Sequence, residues 1–371
     1  MDFTKQELQH YARHFSLPEF GIEGQKRLKA AKVLVVGAGG LGSPVLLYLA
    51  AAGIGHIGII DNDVVDVSNL QRQVLYGMDN LGIPKVEAAK QRIQALNPHI
   101  EVTTYQKRLS IDNILEIIAP YDIIADGTDN FPTRYLVNDA CVLVGKVNVY
   151  ASIFRFEGQV SVFNNLRTDG SRGPNYRDLF PEAPAPGTVP SCAEGGVLGV
   201  LPGIIGSMQA NEVIKLAAKV GEPLDGRLFL FDAATFTNRI LKVPKNPNLK
   251  ITELMELEAY CELPMEVKFI SVEQLQNLRA QQKDFQLIDV RERYEYELHE
   301  MGGELMPLPE LEQHVNSIDR ERMVIVHCKS GARSQKAIQQ LSEQHGFENL
   351  YSLEGGILAW EELVASNHTV K

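Results

Sequence analysis

The sequence predicts two successive α/β domains, the first doubly wound around a mostly parallel sheet and the second smaller. Three observations carry this reading. A short apolar strand, Lys32–Val36, runs into Gly37-Ala-Gly-Gly-Leu-Gly42 and then an apolar helical pattern through Ala52, the strand–loop–helix opening of a doubly wound fold. The stretch Pro244-Lys-Asn-Pro-Asn248 then reads as a boundary. Beyond it strand and helix patterns alternate again, around Cys328-Lys-Ser-Gly-Ala-Arg-Ser334 at the end of an apolar run.

In chain order, His56–Ile60 is the second strand and ends at Asp61-Asn-Asp63. A helix from Lys85 to Leu96 stops at Asn97-Pro98, and Glu101–Gln106 resumes strand character. Tyr121–Ala125 is a buried strand that runs into Asp126-Gly-Thr-Asp-Asn130, and Val147–Ser152 and Gly158–Phe163 alternate like antiparallel strands. From Asn164 to Pro190 the composition shifts to Gly, Pro, Asn and Asp, which predicts a long surface loop. A helix follows from about Leu201 to Val220, then a hairpin at Phe229–Ala233 and Arg239–Val243. We place the first domain at residues 1–248, a linker at 249–265 and the second domain at 266–371. In the latter, Leu287–Val290, Met323–His327 and Asn349–Ser352 read as strands and Ser334–His345 as a helix. No internal repeat or low-complexity tract interrupts the pattern.

With 371 residues, 44% hydrophobic and 22% charged, the chain has the composition of a soluble globular protein with room for two cores. A net charge of −11 argues against nucleic acid or an anionic membrane as the main partner. No apolar stretch approaches the roughly 20 residues that span a bilayer, and Met1–Phe15 lacks the apolar core of a signal peptide. A cytoplasmic enzyme is expected. Cys141, Cys192, Cys261 and Cys328 have no paired spacing, which fits reduced thiols better than disulfides.

A glycine loop between strand and helix lets backbone N–H groups approach a phosphate. Alone it fits an NAD-dependent oxidoreductase equally well, with Asp61 as the ribose carboxylate. The discriminating stretch is Asp66-Val-Ser-Asn-Leu-Gln-Arg-Gln73, with Lys85 beyond it. A dinucleotide fold has no need of cations just past the ribose carboxylate, whereas a nucleoside triphosphate does, and Arg72 and Lys85 supply them. Asp129 suits a Mg²⁺ ligand, since magnesium–triphosphate sites use only one or two carboxylates. Helix N-capping is the alternative for Asp126 and Asp129, and the better reading for at least one of them.

In the second domain, Lys329, Arg333 and backbone N–H groups around Cys328 would favour a thiolate. A tyrosine-phosphatase loop is the rival, but it places five residues between Cys and Arg. Here Lys329, Ser330, Gly331 and Ala332 are four, a smaller cradle that suits a terminal sulfur. A core position would not be flanked by Lys329 and Ser330, so Cys328 is expected at the loop mouth. Asp289 is expected to support the loop structurally.

Residues 1 to about 248 resemble the MoeB/ThiF adenylyltransferases, relatives of ubiquitin-activating enzymes. The resemblance rests on Tyr11-Ala-Arg13-His14, Gly37–Gly42, Asp61-Asn-Asp63, Ser68–Gln73, Lys85, Asp126–Asn130 and Ser191-Cys-Ala-Glu194. It implies a Rossmann-like ATP-binding domain with Asp61 on the ribose and Gly40 near the phosphates. Asn69, Arg72 and Lys85 would contact the triphosphate, Asp129 the Mg²⁺, and Ser68, Leu70, Gln71 and Asn130 would complete the ATP site. It also implies a homodimer in which Arg13 reaches the partner's ATP. The implied reaction is attack by the C-terminal glycine carboxylate of a ubiquitin-like sulfur-carrier protein on the α-phosphate, giving an acyl-adenylate. Cys192 matches a cysteine proposed to take the acyl group as a thioester or to form an acyl-disulfide. Where relatives bind structural zinc through two Cys-x-x-Cys pairs, this chain has Asn175-Tyr-Arg-Asp178 and Leu249-Lys-Ile-Thr252. No zinc is therefore expected, and packing of Leu249 and Ile251 is the suggested substitute.

Residues from about 266 to 371 resemble a rhodanese domain, on Leu287-Ile-Asp-Val-Arg-Glu292, Cys328–Ser334 and Glu354-Gly-Gly-Ile-Leu-Ala-Trp360. Cys328 would carry a persulfide, loaded by a donor such as a cysteine desulfurase or thiosulfate, and convert the carrier's adenylate to a thiocarboxylate. Pathways to molybdopterin (molybdenum cofactor), thiamine and thiolated tRNA all use such carriers. The alternative is a nucleotide- and carrier-binding scaffold whose second domain only docks a separate sulfur donor.

Overall fold

The computed structural model describes residues 3–184, 196–255 and 267–368, and the chain divides into two compact units, 1–262 and 263–371. In the first, eight strands form one sheet: β1 (Lys32–Val36), β2 (His56–Ile60), β3 (Glu101–Tyr105), β4 (Ile123–Asp126), β5 (Val147–Phe154), β6 (Glu157–Phe163), β7 (Arg227–Asp232) and β8 (Thr237–Lys242). Their order is β3-β2-β1-β4-β5-β6-β7-β8, with β3 to β5 parallel and β5 to β8 antiparallel. The helices are α1 (Lys5–His10), α2 (Ala12–Phe15), α3 (Gly21–Ala30), α4 (Gly42–Ala52), α5 (Lys85–Leu96), α6 (Ile114–Ile118), α7 (Phe131–Leu143), α8 (Tyr176–Leu179) and α9 (Leu201–Ala218).

β1, β2 and β4 are apolar on both faces because helices cover both faces, as a parallel sheet requires. Register fixes which side chains share a layer. Val33 lies beside Ile57 and Ile123, and these join Val35, Ile59 and Ala125 in one core together with Val45, Leu46 and Leu49 of α4. The alternate residues Leu34, Val36, Ile60 and Ile124 pack with Ile117 of α6 and Val137 of α7 on the other face. Each fully buried aliphatic side chain contributes about 1.5–3 kcal/mol. From β1 the chain builds outward to β2 and β3, then crosses to β4. Strand order therefore reverses at β1 and opens a crevice at the carboxyl ends of β1, β2 and β4.

The predicted surface loop after Asn164 is different in part. Tyr176 and Arg177, in α8, are buried. Tyr176 joins Tyr135, Tyr150 and Phe163 in an aromatic core, and Arg177 makes a two-pronged ion pair with buried Asp139 at 2.8 and 2.7 Å. Residues 185–190 of that stretch lie outside the described residues. At the positions where relatives bind zinc, Asn175 caps α8 and Asp178 accepts the Asn246 N–H at 2.7 Å. Leu254 packs on the core, while Leu249 and Ile251 are only half-buried. Hydrogen bonds and Leu254 help to hold this end.

The second unit has a parallel sheet in the order β11-β10-β12-β13-β9, from β9 (Lys268–Ile270), β10 (Phe285–Asp289), β11 (Glu304–Leu305), β12 (Met323–His327) and β13 (Leu350–Leu353). Its helices are α10 (Val272–Ala280), α11 (Arg293–Leu298), α12 (Leu311–His314), α13 (Ala332–His345) and α14 (Gly356–His368). Val324 and Val326 of β12 face one core and Ile325 the other. No helix among the described residues is long and apolar enough to cross a membrane.

Candidate functional sites

The crevice at the switch point holds a cavity of about 330 Å³. Its floor is the glycine loop. Gly37 leaves β1 with φ +89°, and a Cβ on Gly42 would lie 2.0 Å from the Gly37 carbonyl oxygen, so the turn closes only without side chains. At the end of β2, Asp61 accepts the N–H groups of Ala38 and Asp63, each at 2.8 Å. Burial raises its pKa although these two donors oppose the shift. The hydroxyl of Tyr76 donates to the Ala38 carbonyl at 2.7 Å, bracing the loop from behind. Buried Lys85 pairs with Asp63 at 2.8 Å, and Arg72 donates to the Ser68 carbonyl at 3.0 Å.

Gly40, Asp61, Asn69, Arg72, Lys85, Asp129 and Asn130 all line this cavity. Ser68, Leu70 and Gln71 do not: Ser68 bonds to Asp66, Leu70 packs on the core and Gln71 abuts Gly199. Arg13 is exposed on α2 and is not part of the cavity wall. Sequence reasoning missed Lys107, Arg108 and Leu109, which also line it. The available signal was that they follow β3, whose end lies beside that of β2. Five cations line the cavity (Arg72, Lys85, Lys107, Arg108, Arg134) against three carboxylates (Asp61, Asp63, Asp129). In a chain of net charge −11, this local excess suits a polyphosphate.

Neither Asp126 nor Asp129 caps a helix. Asn130, the residue immediately before α7, caps it with extended backbone geometry and accepts the Thr133 N–H at 3.0 Å. Asp126 is fully buried and accepts the Thr128 N–H and hydroxyl at 3.0 and 2.6 Å. Among the described residues no cluster of three His, Cys, Asp or Glu could hold a metal. A single rim carboxylate, Asp129, beside phosphate-directed cations nevertheless fits magnesium, which takes most of its ligands from phosphate and water.

In the second unit, Cys328 is 1% exposed, which corrects the expectation of a thiol at the loop mouth. The inward–outward alternation of β12 continues one residue past its end, so Cys328 follows Val324 and Val326 into the core. Lys329 and Ser330 are exposed all the same. Gly331, with φ +106°, folds the loop back so that its N–H donates to Cys328 Sγ at 3.1 Å. Arg333 pairs with Glu295 at 2.5 and 2.8 Å. The carbonyls of Cys328 and Lys329 accept the N–H groups of Ile357 and Leu358, at the start of α14, at 2.9 and 3.2 Å. Asp289 is buried and pairs with Arg291 at 2.6 Å, 3.7 Å from His327 Nε2. Burial lowers the His327 pKa to about 4. Cys141 is a buried core thiol. Cys192 and Cys261 lie outside the described residues.

Residues 11–252 match the ThiF family and residues 271–363 the rhodanese-like domain. The chain is 45% identical over 368 residues to the probable adenylyltransferase/sulfurtransferase MoeZ of Mycobacterium tuberculosis, spanning 96% of this chain and 93% of that protein. It is 52% identical over 270 residues to a sulfur carrier protein adenylyltransferase of Thermus thermophilus, spanning 71% of this chain and 100% of that protein. Among solved structures, E. coli MccB with MccA-N7isoASN superposes with a TM-score of 0.58 over 67% of this chain and 75% of that one. Its identity is 23%, a likeness of fold alone.

Proposed function

The chain belongs to the ThiF family and carries a rhodanese-like domain in the same polypeptide, and on that premise we propose that it activates and then sulfurates a ubiquitin-like sulfur-carrier protein. The C-terminal carboxylate of the carrier attacks the α-phosphorus of ATP, and pyrophosphate leaves. A persulfide on Cys328 then attacks the acyl-adenylate and displaces AMP, leaving an acyl-disulfide; attack on its Cys328 sulfur by the Cys192 thiolate releases the thiocarboxylate and leaves a Cys192–Cys328 disulfide, which an external thiol reduces. The observation that carries the first step is Arg72 and Lys85 lining one cavity with the glycine loop and Asp61. Fixed cations there stabilise the charge that builds on the phosphates. Asp129 would hold a magnesium ion with the phosphates, and that ion would neutralise their charge when bound.

The reading includes a homodimer, through which Arg13, exposed on α2, would reach the partner's ATP. Light scattering, and mixing Arg13→Ala with Asp129→Ala subunits, test this: activity restored by mixing supports the shared site. The carrier, the sulfur donor and the final pathway, molybdenum cofactor synthesis included, are for co-purification to identify.

Carrier-dependent ATP–pyrophosphate exchange and thiocarboxylate formation, measured separately, test the two-step reading. The burial of Cys328 is the observation that favours the scaffold reading. Mass spectrometry after thiosulfate or cysteine-desulfurase treatment separates the two, since a scaffold adds no sulfur to Cys328.

A further inference from the structure

The segment that carries Asp129 is tied down at every backbone position before it. The carbonyl of Asp126 accepts Gln209 Nε2 at 2.8 Å, and the Gly127 N–H donates to the Val36 carbonyl at 2.9 Å. Thr128 is gripped from two directions. Asp126 takes its N–H and hydroxyl, and Arg134 Nη2 donates to its carbonyl at 2.8 Å. The next residue but one, Asn130, is the α7 cap. Asp129 is therefore the one residue between two fixed points. The segment also packs close against the glycine loop: a Cβ on Gly37 would lie 3.0 Å from the Gly127 carbonyl oxygen.

Arg134 and Asp126 are buried, at 6% and 0% exposure. The guanidinium lies over the rings of Tyr150 and Phe131, at 5.1 and 5.9 Å, and leaves Nε without a partner, as Asp126 leaves Oδ2. Burying opposite charges with atoms unsatisfied is costly, and a well-packed apolar pair of the same volume would often be at least as stable. Packing alone does not explain the pair.

We propose that Arg134 is a positioning residue for nucleotide activation: with Asp126 it clamps Thr128 and so holds Asp129 against the glycine loop in a metal-ready place. This inference rests on Asp129 being the magnesium carboxylate. The test measures the affinity of a non-hydrolysable ATP analogue with Mg²⁺ and with EDTA by calorimetry, alongside pyrophosphate exchange. Asp129→Asn should abolish the tightening by Mg²⁺. Arg134→Lys should cut that tightening about 5–10-fold and leave the affinity in EDTA within about twofold, with exchange kcat down about tenfold. In the Asp129→Asn background, Arg134→Lys should add less than about a twofold loss, since two residues acting through one another are not additive. Wild-type metal dependence in Arg134→Lys, or losses that multiply in the double variant, overturns the clamp. Wild-type metal dependence in Asp129→Asn overturns the Asp129 reading itself. Thr128→Val, which deletes the hydroxyl bond to Asp126 and keeps the backbone N–H bond, serves if Arg134→Lys does not fold. A loss of about threefold in metal-dependent tightening is expected there, and an unchanged value overturns the proposal.

Discussion

The nucleotide cavity and the Cys328 loop are both backbone cradles at the end of a parallel strand, yet they stand in opposite states. The first is open, with its cations on the cavity wall. The second is filled by the chain's own sulfur: Gly331 N–H points at Sγ, and Arg333 is committed to Glu295. A loop built to receive phosphate from solution must be vacant. On the proposed reading Cys328 carries its cargo covalently, so the loop is shaped around the carrier atom and the buried sulfur would have to be presented by a movement of the loop.

The sharpest way to break this comparison is Cys328→Ala. It should abolish thiocarboxylate formation and leave pyrophosphate exchange within about twofold; losing both would show that the cradles do not work separately. Asp129→Ala or Arg72→Ala should do the converse, lowering exchange by about 10²–10³-fold while persulfide loading of Cys328, read by mass spectrometry, stays at the wild-type level. A third prediction concerns stability. Burial holds the His327 pKa at about 4, below the ordinary 6.5. The unfolded chain therefore takes up a proton that the folded one refuses. Stability of the second unit is full above pH 6.5 and falls by roughly 3 kcal/mol as pH drops toward 4. Urea midpoints across that window should show the slope in the wild type and lose it in His327→Gln.

The smallest effect sharpens the contrast instead of breaking it. Burial pushes the Glu295 pKa up, but hydrogen bonds from Arg333 and the Glu292 N–H outweigh it and hold the pKa below the usual 4.5. Its contribution is present at neutral pH and is lost as pH falls below 4.5. Glu295→Gln should cost about 1 kcal/mol in denaturation. By releasing Arg333 toward the sulfur it should also raise the rate of persulfide loading about threefold, and an unchanged rate would mean that Arg333 has no part in activating the thiol.

The comparison also separates what the sequence discloses from what it hides. Gly37, Gly39, Gly40, Asp61, Arg72 and Lys85, which line one cavity, are legible because they sit in or just after a local order of strand, loop and helix. Lys107 and Arg108 are not, since their place on the cavity wall depends on β3 lying beside β2, a pairing between distant segments. Cys328 misled for a related reason. Polar neighbours in sequence suggested exposure, but a one-residue continuation of strand alternation sends the thiol inward and Lys329 outward. Arg134 is silent in the sequence, and Asp126 reads there as a candidate cap, because their contacts with Thr128 appear only in the folded chain. The stretch around Tyr176 looked like a loop by composition, and aromatic packing overrode it.

The contacts between the Cys328 loop and α14 have a consequence for biosynthesis. A Cβ at Gly356 would lie 2.4 Å from the Cys328 carbonyl oxygen, and the next two N–H groups hold the loop's carbonyls. On the ribosome, where domains fold from the N-terminus onward, the lining of the nucleotide cavity and Gln209, which holds the Asp126 carbonyl, are all present once α9 has emerged. The sulfur loop must wait for residues 356–358. A nascent or truncated chain can thus own a finished ATP cradle while its thiol still lacks the hydrogen bonds that hold it in place.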